Sequence, residues 1–120
     1  MPLEKQLSSQ ELSKKLEQLG VKQESLFYWV NDGKELGEES DRWVCVYKTW
    51  TNPENPTKPD KLSAFTSSEL GEMLPEWTKI YFTGEHWDCE SGDVHYKADT
   101  MVDSMAKMLI HLIEQEIIKI

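Results

Sequence analysis

His86, Asp88 and His95 are residues of the types that hold ferrous iron in sites built from two imidazoles and one carboxylate. Residues two apart on a strand point the same way, so His86 and Asp88 would share a face. His95 joins them if the chain turns back after Asp88. Gly84-Glu85 and Ser91-Gly92 can each serve as a two-residue hairpin loop. The first loop sets Thr83 opposite His86, Tyr81 opposite Asp88 and Lys79 opposite Glu90. The second sets Glu90 opposite Asp93, Asp88 opposite His95 and His86 opposite Lys97. All of these fall on one face of a three-stranded meander over residues 77–98. Ile80, Phe82, Trp87, Cys89, Val94, Tyr96 and Ala98 take the other. A register shifted by one would scramble this sorting.

A polar outer face is also the default for an antiparallel sheet. Lys79–Glu90 and Asp88–His95 then serve as ordinary cross-strand pairs, each contributing about 0.2–1 kcal/mol. Iron sites of this type have further walls and a substrate pocket, and nothing in the sequence supplies them. His86, Asp88 and His95 are therefore the alternative reading, a small metal- or ligand-binding face, and the solvated sheet is the first. His86-x-x-Cys89 has ligand-like spacing, but alternation sends Cys89 to the opposite face, and no second pair completes a tetrahedral zinc site. His111 falls on a polar helical arc and reads as solvated. There is no Gly-rich phosphate loop, no G-x-S-x-G elbow and no H-E-x-x-H. No enzyme and no cofactor are expected.

The elements that position these residues follow from local chemistry. Ser8-Ser9-Gln10-Glu11 reads as a capping box, followed by Leu12, Leu16 and Leu19 at helical spacing and a stop at Gly20. Leu26–Val30 and Trp43–Tyr47 are unbroken β-prone runs, as expected of strands covered on both faces. Between them lies an acidic loop, and Thr51–Lys61, with three prolines, reads as extended loop. Thr66-Ser67-Ser68-Glu69 is a second capping box, opening a short helix that stops before Pro75. Asp99-Thr100 with Asp103 opens the last helix, running to about Ile117. The expected fold is α+β: one antiparallel sheet of about five strands with helices on one face, in the order α-β-β-α-β-β-β-α, as a single domain over 1–120.

The last helix is apolar over about two-thirds of its circumference, through Met101, Val102, Met105, Met108, Leu109, Ile110 and Leu112. Either the other helices flank it or a second subunit does. Ser-Ser-Gln-Glu-Leu at 8–12 echoes Ser-Ser-Glu-Leu at 67–70, which shared capping chemistry explains.

The 120 residues include 22 acidic and 13 basic side chains, a formal charge of −9. Lys and Arg form no cluster, which disfavours direct nucleic-acid binding and anionic membranes. An acidic DNA mimic would pack its acids in rows, whereas these are spread. Five Trp, four Tyr and three Phe are enough for a real core. The amino terminus lacks an apolar signal region, and charged residues break the apolar stretch at 101–120. Cys45 and Cys89 read as reduced thiols, and the compartment as cytoplasm.

The segment Leu62-Ser-Ala-Phe-Thr-Ser-Ser-Glu-Leu-Gly-Glu-Met-Leu-Pro75 resembles an apolar-x-Ala-Pro-Thr-x-x-Glu-Leu-x-x-x-Leu-Pro stretch of small uncharacterised proteins from Bacteroides-type bacteria and their phages. Ala98–Glu114 is similar to their closing helix, and Leu19-Gly-Val with Phe27-Tyr-Trp to their opening. Phe65 stands where Pro is expected. The resemblance implies a phage-related accessory protein and carries over no site residues.

These features lead to a non-catalytic interaction protein with a protein partner or as a homodimer. Trp50 and Trp77, each at a strand end, either anchor an interface or cap the sheet's edge. Met101 and Met105 belong to the apolar arc through which a dimer would form, and core packing is the commoner use of such methionines.

Overall fold

The computed structural model describes residues 3–31, 43–47 and 61–119. Trp50, the acidic loop at 35–41 and the proline-bearing loop to residue 60 lie outside them. After a short 3-10 turn at Leu3–Gln6 come α1 (Gln10–Gln18), β1 (Phe27–Asn31), β2 (Trp43–Tyr47), β3 (Lys61–Ala64) and α2 (Ser67–Met73). They are followed by β4 (Lys79–Phe82), β5 (Trp87–Ser91), β6 (Val94–Ala98) and α3 (Met101–Glu114).

The mixed α and β character is as expected, but the single sheet is not. Among the described residues six strands form two antiparallel sheets of three, ordered β2-β1-β3 and β4-β5-β6. The extra strand, β3, begins where the proline-rich stretch ends and pairs with β1, Trp29 opposite Leu62. A side chain occupies the outer edge of β3. Gln23 Oε1 accepts the outward amide of Ser63 at 2.8 Å, where a further strand would have bonded.

Capping chemistry fixes two helix starts as expected. Thr66 and Glu69 exchange both bonds of a capping box, and Thr100 Oγ1 accepts from the Asp103 amide at 3.2 Å. At α1 the expected box does not form. Ser9, not Ser8, is the cap, accepting from the Leu12 amide at 3.3 Å. Ser8 is buried instead, and its hydroxyl lies 2.7 Å from Ser13 Oγ and accepts the Phe65 amide at 3.0 Å. Its carbonyl accepts Trp29 Nε1 at 2.7 Å. A buried polar backbone must find partners, and this junction supplies them. It also brings the two echoing segments together: the Ser8 amide bonds the Phe65 carbonyl at 2.9 Å, and Leu7 bridges Thr66.

The main core gathers on α3. Val102, Met105, Ala106, Met108, Leu109 and Leu112 are buried there with Leu16, Phe65, Leu70 and Cys89. A fully buried side chain of this size contributes roughly 1.5–3 kcal/mol. The apolar arc of α3 is covered within the chain, since α1, α2 and all three strands of the meander pack on it. Met105, expected at an interface, is 3 % exposed and belongs to the core. Phe65 fills this core too. A smaller cluster of Leu7, Trp29, Leu62 and Ala64 serves the first sheet.

Candidate functional site

The meander carries the site, and its first turn is the expected one. Phe82 pairs with Trp87 around Gly84-Glu85, the glycine at φ 102°. The second turn is slipped. Ser91 pairs with Val94 around Gly92-Asp93, so Glu90 faces His95 and Asp88 faces Lys97. The reason is local: Ser91-Gly92 would place the glycine second in the loop, whereas here Gly92, at φ 63°, stands first and alone takes the positive φ. A shift of two leaves each residue on its face, so the sorting of polar from apolar survives.

On the outer face, His95 sits between two carboxylates. Its Nδ1 lies 3.5 Å from Asp88 Oδ1 and its Nε2 lies 3.8 Å from Glu90 Oε1. Asp88 is the unusual member. Its side chain is only 9 % exposed, and Oδ1 makes no hydrogen bond. Tyr81, opposite Asp88 on β4, has its hydroxyl pushed above the ordinary tyrosine value. Partial burial is the first cause, followed by the charges of Asp88 and Glu90 and a bond to Asp88.

His86 does not join this group. It is half-buried in a shallow cleft with Ser9, Lys97, Asp103 and Lys107, and its amide bonds Thr83 Oγ1 at 3.3 Å. Among the described residues no three His, Cys, Asp or Glu side chains are placed to hold a metal ion. Cys89 lies on the buried face, where desolvation and then the Asp88 charge push its thiol up to about 11. It is no nucleophile at neutral pH.

Sequence reasoning missed two arrangements. His111, read as solvated, has Nδ1 2.9 Å from the Tyr96 hydroxyl in a groove between α1 and α3. Tyr96 belongs to the inner face of β6, so its spacing from a helical histidine signalled nothing before the packing was known. The other arrangement is the free edge at β4. Thr83 and His86 close the first loop with a 2.9 Å bond. Ladder alternation then makes Tyr81–Asp88 and Lys79–Glu90 the bonded pairs. The N–H and C=O groups of Ile80 and Phe82 therefore point away from β5, and none of them has a partner among the described residues.

The opposite edge is guarded, because Lys107 Nζ donates to the outward carbonyl of Lys97 at 2.8 Å. Beside and along β4 the exposed side chains are Lys79 and three aromatics: Trp77 is 64 %, Tyr81 41 % and Phe82 55 % exposed. Trp77 is held by a 3.1 Å bond from its indole N–H to Ser91 Oγ, while the Phe82 ring lies 5.3 Å from that of Trp87. An incoming strand would meet Tyr81 on one side of its backbone and Phe82 on the other. Met101 is half-buried beside a different cleft, with Phe27 and Trp87.

Comparison with family models, curated proteins and solved structures returned no match to this chain. The site has to be read from its own chemistry.

Proposed function

We propose that this chain is a non-catalytic interaction protein that accepts an extended segment of a protein partner at the β4 edge. The observation that carries this reading is the set of outward backbone groups of Ile80 and Phe82, left without partners among the described residues and flanked by Trp77, Tyr81 and Phe82. Main-chain bonds to such an edge provide affinity, and side-chain pockets alternating along it provide specificity. Large aromatic anchors are the residues that dominate binding energy at interfaces. Partner binding through the α3 arc is not proposed, since that arc lies in the core. The metal-binding alternative has no donor set of three among the described residues to support it. The phage-related accessory role implied by the three sequence patches belongs to the same proposal. So does a cytoplasmic setting, supported by the two free thiols Cys45 and Cys89. No helix among the described residues is long and apolar enough to cross a membrane.

The test is selection of a displayed library of random ten-residue peptides on immobilised protein. Enrichment is expected on the native chain and on Phe82→Ala at reduced level, and is expected to vanish on Phe82→Pro. Proline removes the outward N–H at an edge position where the strand tolerates it. Equal enrichment on native protein and on a Phe82→Pro variant with an unchanged melting temperature would refute edge docking.

A further inference from the structure

One unsatisfied carboxylate oxygen of Asp88, a strand in from the β4 edge, says what kind of strand the edge accepts. This inference rests on the docking reading above. Asp88 lies one strand in from β4, more than nine-tenths buried on the outer face, with Oδ1 lacking any hydrogen bond. A buried acceptor left in this state stabilises any complex that brings it a donor. The donors now nearby leave that oxygen without a hydrogen bond: the Tyr81 hydroxyl bonds the carboxylate but not Oδ1, His95 stands 3.5 Å from it, and Lys97, directly across on β6, makes no ion pair with it. Glu90 adds a second carboxylate within 3.8 Å of the same imidazole. Between Asp88 and the open edge lies Tyr81, 41 % exposed, and between Glu90 and the edge lies Lys79. The charge of the whole chain, −9, has the same sign.

We infer that the partner strand is basic, an extended segment whose arginine side chain lies across the Tyr81 ring and donates to Asp88. Neighbouring strands stand about 4.8 Å apart, so a strand added to β4 runs roughly 10 Å from β5. A side chain as long as arginine's spans that gap over the tyrosine face. The planar guanidinium is suited to this path. It stacks on an aromatic ring, and its several N–H donors serve Asp88 and Glu90 together. Residues two apart on the incoming strand face the same side, so arginines at alternate positions place one at the Tyr81–Asp88 row in any register that turns them to that face.

Two blocked seven-residue peptides test this with the full chain: Thr-Arg-Val-Arg-Val-Arg-Thr and its analogue with Gln for each Arg. Calorimetry gives affinities, and amide NMR locates the contact. The arginine peptide is expected to bind about tenfold or more tighter, as charge-assisted bonds to a buried partner predict. Both peptides should shift the Ile80 and Phe82 amides. Asp88→Asn should bring the two affinities within about threefold while leaving glutamine-peptide binding in place. Glu90→Gln should narrow the ratio in the same direction, which keeps the test available if Asp88→Asn unfolds. Glu24→Gln removes an equal charge at the exposed Lys22–Glu24 pair and should leave the ratio unchanged. Equal binding of both peptides at Ile80 and Phe82 would leave edge docking standing and overturn the basic preference. A ratio that falls as much in Glu24→Gln as in Asp88→Asn would reduce the preference to overall charge and overturn the assignment to Asp88. Absence of shifts at Ile80 and Phe82 with either peptide would overturn the docking reading itself. Light scattering that finds a dimer dispersed by Phe82→Pro would assign the edge to a second copy and overturn the basic partner.

Discussion

The backbone amide of Ser9 donates to the carboxylate of Asp103 at 2.9 Å, across 94 positions of sequence. Asp103 thus does two jobs. It stands in the first turn of α3, where its amide bonds the Thr100 cap, and it closes the amino end of α1, where Leu12 rather than an acid holds the third helical position. Burial raises its carboxyl above the ordinary aspartate value of 3.8, and the Ser9 amide, Lys107 and Thr100 only partly offset this. A raised carboxyl favours the folded state at low pH. Its contribution is complete below the ordinary value and is lost as pH rises through the folded one. Asp103→Asn, which keeps an acceptor without the charge, should therefore lose ground to the native chain on acidification from neutral to about pH 4. Asp103→Ala should cost about 1–2 kcal/mol through the lost acceptor. Urea unfolding at both pH values measures each difference.

Ser8 is the polar centre of the junction between α1 and the first sheet. Ser8→Ala strands the buried Phe65 amide, while Ser13 Oγ loses the Ser8 hydroxyl and keeps only the Ser8 carbonyl at 3.3 Å. A stranded buried polar group costs roughly 1–3 kcal/mol. Thermal unfolding should show this as a fall of several degrees in Tm, about 4–8 °C per kcal/mol for domains near this size. Ser9→Ala, which removes an ordinary cap, should cost about 1 kcal/mol. A smaller loss at Ser8 than at Ser9 would contradict the role given to Ser8.

Cys89 is expected to resist alkylation in the folded protein. Its thiol titrates near 11, so almost no thiolate exists at neutral pH, and the side chain is fully buried. Iodoacetamide labelling followed by peptide mass spectrometry should find Cys89 modified only after denaturant is added. Labelling at equal rates with and without denaturant would contradict this.

What the sequence disclosed was local. Thr66 with Glu69, Thr100 with Asp103 and the Gly84-Glu85 turn each act within four residues, and each stands as read. The meander's two faces were legible because side-chain alternation survives a slip of two. The slip itself came from glycine position within the second loop, which decides the partner of His95. The division into two sheets was not legible, because it depends on contacts far apart in sequence, such as that of Gln23 with the Ser63 amide forty residues on. Likewise nothing local distinguishes Ser8 as a hub from Ser8 as a cap. The separation of His86 from Asp88 and the approach of Tyr96 to His111 depend on where α1 and α3 pack. Trp77 was singled out, but the bare edge beside it required the ladder's hydrogen-bonding phase.

Amide hydrogen exchange, resolved by residue, is the most direct test of the β4 edge as the docking strand. In the free protein the Ile80 and Phe82 amides should exchange much faster than those of Tyr81 and Lys79, which bond β5. Saturation with an edge-binding peptide should slow Ile80 and Phe82 selectively. Protection that appears instead along the groove of Lys14, Tyr96 and His111, with Ile80 and Phe82 unchanged, would contradict the account.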